Sequence, residues 1–252
     1  MKALITGASS GIGRDMARYL AVKGWDLVLV ARREDRLLEL KRELKKVNVR
    51  IITFDVGKVE DCHKLYEMTR EDNIDMLINN AGFGLAGEFV KTDLDTELNM
   101  IDVNVKAVHI ITKLFLRDFV KRDSGIILNV ASSAGFMPGP LLSTYYASKN
   151  YVLRLTEALY EELRRKGSRV SVSALCPGPV NTEFNKVAKV KFAVNGISSE
   201  MCAKIAVDGA LRGKLIIIPG AVMKTGLFFR RFVPEKLMLR LAYNFQRRKN
   251  ER

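Results

Sequence analysis

Hydrophobic and polar residues alternate along the chain with two different periods. Short apolar runs predict seven strands, at residues 3–6, 26–31, 49–54, 75–79, 125–131, 169–176 and 214–219. Between them, apolar residues recur every three or four positions, as in Leu37, Leu40 and Leu44, while Lys and Glu fill the other positions. This spacing predicts about six amphipathic helices. Strands that alternate with helices are typical of a parallel sheet with helical crossover connections.

The predicted strands are too apolar for a sheet with one face in water. Residues 27–30 and 215–218 are uninterrupted apolar runs, and no internal repeat or linker divides the chain. Such strands suit a sheet that helices cover on both sides. We therefore predict a single doubly wound α/β domain, in which residues 1–220 form a seven-stranded parallel sheet with its helices and residues 221–252 extend the same domain.

Composition supports one large domain and limits its environment. The chain has 252 residues, of which 48% are hydrophobic, enough to bury a substantial core. No run reaches the roughly 18 apolar residues of a membrane span. The first apolar run leads directly into a glycine turn, so no room remains for a cleavable signal, and we expect a cytoplasmic location. Cys62, Cys176 and Cys202 are odd in number and widely spaced, which argues against a disulfide framework and a metal site.

The charge is strongly positive and unevenly distributed. The formal net charge is +14, and residues 221–252 contribute +7 of it, from nine Lys or Arg and two Glu. Such a charge suggests an acidic partner, such as nucleic acid, an anionic membrane or a phosphorylated ligand.

A glycine-rich segment joins the first strand to the first helix. It reads Thr6-Gly7-Ala8-Ser9-Ser10-Gly11-Ile12-Gly13. Glycines at such a turn let the chain reverse sharply and let backbone N–H groups approach a pyrophosphate at the helix N-terminus. The turn therefore predicts a dinucleotide site, although a merely tight strand–helix connection would use the same residues.

Two arginines follow the second strand, where an acidic residue would bind the adenosine ribose and repel a 2′-phosphate. The segment reads Val30-Ala31-Arg32-Arg33, and guanidinium groups suit bidentate phosphate binding. We therefore predict NADP(H) in preference to NAD(H), with Arg32 as the first choice for the phosphate ligand and Arg33 as the second. The alternative is that both arginines lie at a solvated helix start.

Tyr145, Lys149 and Ser132 could together transfer a proton to a carbonyl oxygen. A free phenol near pKa 10 is poorly matched to neutral pH. Tyr145 and Lys149 share one face of a helix, so we expect the ammonium to lower the pKa of the phenol. Ser132, just beyond the fifth strand, could donate a hydrogen bond to the substrate oxygen. Tyr146 and Ser133 are adjacent alternatives.

The order and spacing of these motifs resemble the classical short-chain dehydrogenase/reductase family over residues 2 to about 220. The resemblance implies a Rossmann-type fold and favours Tyr145 and Ser132 over their neighbours. It implies that Lys149 also binds the nicotinamide ribose and that Asn104 is a fourth catalytic residue, which kinks its helix. It further implies cofactor contacts by Asp55, Val56, Asn80, Ala81, Gly82, Pro177, Gly178, Val180 and Thr182.

Substrate choice is expected to lie in residues 135–142 and 183–200, the second of which is a mobile lid in this family. The basic tail places Met238, Leu241, Ala242 and Phe245 on one face of a helix that starts near Pro234. The tail could be a flap over a hydrophobic pocket, a subunit contact in a homodimer or homotetramer, or a peripheral membrane anchor through residues 222–252. We hypothesise a lipophilic ketone or a 3-oxoacyl-type substrate.

Three classes of function follow from these observations. The first is an oxidoreductase that acts on a small-molecule carbonyl or alcohol. The second is a catalytically silent NADP(H)-binding regulatory or scaffold protein, which would not need an intact Tyr–Lys pair. The third is a nucleic-acid or membrane-surface binder, which the positive charge suggests. The body of the chain has no aromatic stacking array or recognised binding motif, so we expect such binding at most as an accessory property of the tail, and we predict no nucleic-acid partner.

Overall fold

The computed structural model of the chain describes residues 1–184, 188, 196–230 and 232–250. The strands in chain order are β1 (Lys2–Thr6), β2 (Asp26–Ala31), β3 (Val49–Thr53), β4 (Met76–Asn79), β5 (Ile126–Val130), β6 (Ser171–Leu175), β7 (Val180–Asn181), β8 (Ile197–Ser198) and β9 (Ile216–Ile217). Seven of them form one parallel sheet in the order β3-β2-β1-β4-β5-β6-β9, and β7 pairs with β8. The predicted doubly wound Rossmann-type sheet is confirmed.

The helices flank this sheet. They are α1 (Gly11–Val22), α2 (Glu34–Glu43), α3 (Val59–Thr69), α4 (Leu94–Ile101), α5 (Val108–Lys121), α6 (Ser143–Arg165), α7 (Ser199–Leu211), α8 (Ala221–Arg230) and α9 (Glu235–Asn250). A π-helical segment, Asp102–Ala107, joins α4 to α5, and Ser133–Phe136 form a 3₁₀ turn. The prediction of about six helices was too low, partly because residues 221–252 contain two helices that Pro234 separates.

The last predicted strand is much shorter than its apolar run. Residues 214–219 were expected to be extended, but only Ile216 and Ile217 pair, with Ala174 and Leu175 of β6. The strand lies at the edge of the sheet and has one neighbour. It therefore forms fewer inter-strand hydrogen bonds than a central strand, and fewer of its residues are held in the extended conformation. The other predicted strands of the sheet are confirmed within two residues at either end.

Successive residues of the central strands enter two separate cores. Leu27 and Leu29 of β2 pack in the core that α1 and α7 cover, whereas Val28 and Val30 pack in the core that α3 and α5 cover. Side chains of a strand point alternately to the two faces of a sheet. Both faces are therefore dry, which explains why these strands are continuous apolar runs.

A buried chain of polar side chains connects two strand ends to two helices. The Asn79 side-chain amide donates to Thr112 Oγ1 and to Asn129 Oδ1, at 2.9 Å each. Asn129 Nδ2 in turn donates to Thr156 Oγ1 at 3.1 Å. All four side chains are buried, and Asn79 Oδ1 has no hydrogen-bond partner among the described residues. The network fixes α5 and α6 against the carboxyl ends of β4 and β5.

Candidate active site

A cavity of about 810 Å³ opens at the carboxyl edge of the sheet, beside the point where the strand order reverses between β1 and β4. Ligands of open α/β folds bind at this point. The structure brings most of the predicted site residues to its wall: Gly7, Ser9, Ser10, Gly11, Ile12, Arg32, Arg33, Asp55, Val56, Asn80, Ala81, Gly82, Ser132, Tyr145, Lys149, Pro177, Gly178, Val180 and Thr182.

Three predicted residues lie behind this wall. Thr6 is buried, and its hydroxyl accepts from the backbone N–H groups of Asn80 and Ala81 at 3.0 and 3.1 Å. A Cβ on Gly13 would lie 2.3 Å from Asn80 Nδ2 and 2.5 Å from the Gly7 oxygen. Asn104 is fully buried in the π-helical segment. Thr6 and Gly13 therefore support the glycine turn, and neither forms the surface of the cavity.

Asn104 connects the π-helical segment to the chain that follows β4. Its amide pairs with both backbone groups of Phe83, accepting from N at 3.1 Å and donating to O at 2.9 Å. It also donates to Ser148 Oγ at 3.1 Å, on the same turn of α6 as Tyr145 and Lys149. A Cβ on Gly82 would lie 2.9 Å from Asn104 Oδ1 and 3.2 Å from Lys149 Nζ. A side chain at position 82 would therefore require Asn104 or Lys149 to move.

The glycine turn needs its glycines for packing. Gly7 and Gly11 have φ angles of +66° and +54°, a region that favours glycine. A Cβ on Gly7 would lie 2.8 Å from the Ala81 Cα, and one on Gly11 would lie 3.2 Å from Thr182 Cγ2. The chain at Ala81 and the side chain of Thr182 therefore pack closely against the turn. The indication of a phosphate site comes from the polar groups around the turn.

Arg33, rather than Arg32, reaches the glycine turn. Its Nη2 donates to Ser9 Oγ at 3.1 Å and to Ser10 Oγ at 2.8 Å. Arg32 extends into solvent, with its Nη1 3.6 Å from Asp55 Oδ2. Arg33 reaches this turn because it starts the segment that leads into α2 and points back across Ser9 and Ser10. The ranking of the two arginines as phosphate ligands stays a prediction.

A third arginine and a carboxylate complete this cluster. Arg36 Nη1 donates to both carboxylate oxygens of Glu183, at 2.7 and 2.8 Å, and Arg33 Nη1 donates to the same carboxylate at 3.1 Å. These two guanidinium groups hold the pKa of Glu183 below its usual range. Arg36 was not among the residues predicted from the sequence, although its position one helical turn after Arg32 and Arg33 is a signal that could have revealed it.

Ser132, Tyr145 and Lys149 meet on the floor of the cavity. Ser132 follows β5, and its hydroxyl accepts from Ala134 N at 3.1 Å and lies near enough to the Tyr145 hydroxyl to lower the pKa of that phenol. Lys149, one turn after Tyr145 on α6, donates from Nζ to the Val130 carbonyl at 2.9 Å and lies 5.9 Å from the centroid of the Tyr145 ring. The floor of the cavity thus holds two hydroxyl groups and one amine.

The two alternative residues have other partners. The Tyr146 hydroxyl accepts a hydrogen bond from Gln246 Nε2 at 2.7 Å. The backbone N–H of Ser133 donates to the Pro177 carbonyl at 2.8 Å, and Ser133 begins the 3₁₀ turn. Both residues line the cavity. The interaction between Ser132 and Tyr145 favours the pair that the family resemblance selected.

The pKa of Tyr145 moves in the direction opposite to the one expected. Burial raises the pKa of Tyr145 to about 12, although the interaction with Ser132 lowers it. Burial also lowers the pKa of Lys149 to about 8. Lys149 Nζ is hydrogen-bonded to a backbone carbonyl and not to the phenol, and the loss of water around both groups disfavours their charged forms. In the chain by itself, burial therefore outweighs the acidification of Tyr145 that was expected from Lys149.

The C-terminal tail closes one end of the cavity. Val222, Met223 and Gly226 of α8 and Ala242 and Gln246 of α9 contribute to its wall. Met223 packs against the loop after β6, where a Cβ on Gly178 would lie 2.4 Å from the Met223 Cε.

The buried edge of α9 differs from the predicted apolar face. Ala242 is on this edge, but Leu241 is 52% exposed, while Gln246 is only 3% exposed. Phe245, which was predicted on the same face, lies outside the residues whose side chains are described. Apolar periodicity did not identify Gln246, because it ignores an amide that finds a phenolic partner far away in the sequence.

The expected substrate lid is described only in part. Of residues 183–200, those at 185–187 and 189–195 lie outside the described residues. The Phe184 ring lies beside Tyr145, with ring centroids 5.4 Å apart, and Ala188 O accepts from Ala86 N at 3.2 Å. The start of the segment thus contacts the residue on which the proposed chemistry depends.

Neither metal ligation nor thiol chemistry is indicated at the cavity. Across residues 1–184, 188, 196–230 and 232–250, no three His, Cys, Asp or Glu side chains are grouped so that they could hold a metal ion. Cys62, Cys176 and Cys202 are buried, and burial raises the pKa of each thiol to about 12. Such thiols stay protonated at neutral pH and are poor nucleophiles.

Comparison with known proteins gives one consistent family. A family model described as short chain dehydrogenase matches residues 1–193. The very-long-chain 3-oxoacyl-CoA reductase of Anas platyrhynchos is 33% identical over 198 residues, which cover 75% of this chain and 63% of that protein, so the chain spans less than two thirds of that relative. The very-long-chain 3-oxoacyl-CoA reductase-B of Danio rerio is 31% identical over 243 residues, 94% of this chain and 77% of that protein.

Solved structures show the same fold with bound nicotinamide cofactors. A short-chain dehydrogenase from Sphingobium yanoikuyae in complex with NADPH has 33% identity and a TM-score of 0.82, covering 92% of this chain and 93% of that one. One from Burkholderia phymatum in complex with NAD has 25% identity and a TM-score of 0.84, covering 92% of each chain. A bulky-bulky ketone specific alcohol dehydrogenase from Comamonas testosteroni has 31% identity and a TM-score of 0.78, covering 92% of each chain. The chain therefore belongs to the classical short-chain dehydrogenase/reductase family of oxidoreductases.

Proposed function

We propose that the chain is an NADP(H)-dependent carbonyl reductase in which Tyr145 is the general acid. The observation that carries this proposal is the meeting of Ser132, Tyr145 and Lys149 on the floor of one cavity. All three have side chains that can take part in proton transfer or its stabilisation. A catalytically silent binding protein would have no use for this convergence.

The polar groups around the glycine turn fit a phosphorylated dinucleotide. Arg33 donates hydrogen bonds to Ser9 and Ser10. Arg36 lies beside it and donates to the Glu183 carboxylate, which Arg33 also contacts. Guanidinium and hydroxyl groups are suitable donors to a phosphate. The excess of positive charge at the end of β2 favours the 2′-phosphate of NADP(H). Asp55, which lines the same cavity and lies 3.6 Å from Arg32, would contact the adenine side of the cofactor.

The proposed chemistry needs a proton donor that is neutral at physiological pH. A bound nicotinamide would supply the hydride in the reducing direction. Burial, which raises the pKa of Tyr145 to about 12, keeps the phenol protonated. As negative charge develops on the substrate oxygen, Ser132 donates a hydrogen bond to it and Tyr145 gives up its proton. Lys149 Nζ lies 5.9 Å from the centroid of the Tyr145 ring. In its protonated form, this amine stabilises the phenolate that remains.

We propose a lipophilic ketone or a 3-oxoacyl-type substrate. Beyond the catalytic floor the wall of the cavity is apolar, with Phe83, Met137, Leu142, Phe184 and Ala242 among its residues. Apolar pockets with few polar groups bind apolar ligands and use the polar groups for orientation. The names of the two vertebrate relatives and of the bulky-ketone enzyme are consistent with a large substrate.

We propose that the tail is a flap over this pocket and that its outer face contacts an anionic membrane surface. Phe228, Phe229 and Phe232 are 50%, 59% and 70% exposed, and residues 221–252 carry a net charge of +7. Exposed aromatic rings among basic residues are typical of helices that lie on anionic membranes. Of the described helices, none is sufficiently long and apolar to span a bilayer. A cytoplasmic location and a homodimer or homotetramer stay predictions.

The test is oxidation of NADPH with a panel of ketones and 3-oxoacyl thioesters of increasing chain length, with NADH in parallel. We expect kcat/KM to rise with chain length and to be higher with NADPH than with NADH. Preference for NADH would contradict the cofactor assignment. Tight NADPH binding without turnover of any carbonyl would contradict the reductase proposal and favour the silent binding protein.

A deletion of residues 222–252 tests the flap separately. It is expected to lower kcat/KM for long-chain ketones more than for small ones, because it removes one end of the pocket. Equal effects on both substrates would contradict a flap. Sedimentation of the full chain with anionic vesicles, at low and high salt and with neutral vesicles as the control, tests the membrane contact.

A further inference from the structure

A buried amide at the end of the cavity has an oxygen without a hydrogen-bond partner among the described residues. Gln246 is 3% exposed, and its Nε2 donates to Tyr146 Oη at 2.7 Å. Its Oε1 is fully buried and has no partner among the described residues. Buried amide oxygens are nearly always hydrogen-bonded, so one that is not requires an explanation. A ligand that brings a hydrogen-bond donor into the cavity would provide it.

The amide belongs to the cavity that holds the proposed catalytic group. Gln246, Tyr146 and Tyr145 all line it. The rings of Tyr145 and Tyr146 are in edge contact, with centroids 6.1 Å apart. A group bound by Gln246 and Tyr146 would therefore lie only a few covalent bonds from an oxygen bound at Tyr145.

The Tyr146 ring is held in place from its other side. A Cβ on Gly139 would lie 2.2 Å from the Tyr146 Cγ, so the backbone of the loop before α6 packs directly on the ring. This packing fixes the hydroxyl within reach of α9. The Tyr146–Gln246 hydrogen bond joins residues 100 positions apart, and both partners are positioned before a substrate enters.

The pair offers one donor and one acceptor to a substrate. The Tyr146 oxygen accepts from Gln246, which leaves its hydrogen to be donated, and no acceptor for this hydrogen is found in the part of the chain that the structure describes. Gln246 Oε1 supplies the acceptor. A hydroxyl or a carboxamide on the substrate both accepts and donates a hydrogen bond, and would satisfy both groups at once.

We propose that Tyr146 and Gln246 form a specificity site for a second polar group of the substrate, a hydroxyl or a carboxamide close to the reacting carbonyl. This inference rests on the proposed reductase function and narrows its substrate class. The substrate is then a largely apolar ketone with one additional donor–acceptor group, and not a simple hydrocarbon ketone. Sites built to bind a polar group discriminate strongly against analogues that lack it, because their own buried groups are left unpaired.

The test uses the full chain with NADPH and a matched series of 2-decanones. The compounds carry a hydroxyl, a carboxamide, a methoxy or a methyl group at one carbon at a time, from the fourth to the eighth. At one position, we expect the hydroxyl or the carboxamide compound to exceed its methyl analogue in kcat/KM by about tenfold or more. The methoxy compound, which cannot donate, should show no such gain. The better of the first two compounds identifies the group.

Two substitutions connect this preference to the pair. Gln246→Met keeps the length of the side chain and removes the amide, and Tyr146→Phe keeps the ring and removes the hydroxyl. Each is expected to reduce the ratio of kcat/KM between the polar compound and its methyl analogue to about onefold to twofold, since the hydrogen bonds are lost. Asn244→Ala, on the exposed side of α9, is the matched control and should keep the wild-type ratio.

Several outcomes would overturn the inference. If the two substitutions lowered kcat/KM equally for all ketones, the pair would serve only to attach the tail. If the wild-type enzyme showed no preference at any position, the inference would fail even if both variants did not fold, while the proposed reductase function would stand. If the wild-type enzyme reduced no ketone of the series, the proposed function and the inference would fail together.

Discussion

We predict that Lys149 supports turnover but destabilises the folded chain. Replacing it with an apolar side chain of similar length should therefore stabilise the fold. Lys149 is 4% exposed, and burial lowers its pKa from 10.5 to about 8. One pKa unit corresponds to about 1.4 kcal/mol. Keeping this ammonium charged at pH 7 therefore costs about 3 kcal/mol.

The substitution Lys149→Met removes this cost and also removes the hydrogen bond to the Val130 carbonyl at 2.9 Å. Hydrogen bonds of charged groups contribute about 1.5–3 kcal/mol. The expected net result is a gain of about 1 kcal/mol in the free energy of unfolding at pH 7, together with a large loss of turnover.

The sign of the effect changes with pH. Between the lowered pKa of about 8 and the ordinary value of 10.5, the unfolded wild-type chain binds more protons at this site than the folded chain does. Its stability therefore rises with pH in that window. The variant has no such group, so its advantage should disappear by about pH 10, where the wild-type enzyme holds a neutral amine.

The assay is urea denaturation followed by circular dichroism at pH 7 and pH 10, with m-values compared to confirm that the same surface unfolds. Lys113→Met, at an exposed position of α5, is the control for the general effect of adding an apolar side chain. A variant that is less stable than the wild-type enzyme at pH 7 by more than 1 kcal/mol would refute the reasoning. So would a stability difference that does not change with pH.

Three further predictions concern the nucleotide end of the cavity. Arg33→Ala should raise KM for NADPH much more than KM for NADH, and more than Arg32→Ala does, because Arg33 lies on Ser9 and Ser10; equal effects on both cofactors would contradict a phosphate contact. Glu183→Gln should strengthen NADPH binding in a fluorescence titration, since it releases the two guanidinium groups that the carboxylate now holds, and weaker binding would contradict this. Gly13→Ala should destabilise the fold by about 1–3 kcal/mol, because its Cβ would lie 2.5 Å from a backbone oxygen; unchanged urea denaturation would show that the turn can adjust.

The sheet was predictable because its residues satisfy several requirements at once. Leu27, Val28, Leu29 and Val30 are apolar at every position, and they alternate between two cores. Such a short apolar run is typical of a strand that helices cover on both faces of the sheet. The order of helices and strands along the sequence then limits the sheet to a few possible topologies. The short edge strand was less predictable, since Lys214–Pro219 is as apolar as a central strand but has one neighbour.

The floor of the site was predictable because its residues are close in sequence or follow strands that end at one edge. Tyr145 and Lys149 share one turn of α6, and Ser132 directly follows β5. The choice between Ser132 and Ser133, or between Tyr145 and Tyr146, came from the family resemblance. The residue spacing alone did not make it.

Long-range packing accounts for what the sequence could not show. The contact of Gln246 with Tyr146, and that of Met223 with Gly178, depend on how the tail folds back over the cavity. The direction of the pKa shift of Tyr145 depends on burial, which outweighs the effect of a nearby amine that is hydrogen-bonded elsewhere. Residue spacing predicts which groups meet, but it does not predict how much water they lose.

The most direct test of the central claim is the rate of hydride transfer from NADPH in a single turnover, measured for Tyr145→Phe and Tyr146→Phe with the same ketone. Loss of a positioned general acid typically lowers a rate by about 10²–10⁴, so we predict a decrease of this size for Tyr145→Phe and a much smaller one for Tyr146→Phe. A Tyr145→Phe enzyme that transferred hydride at nearly the wild-type rate would contradict the claim that this phenol protonates the substrate oxygen.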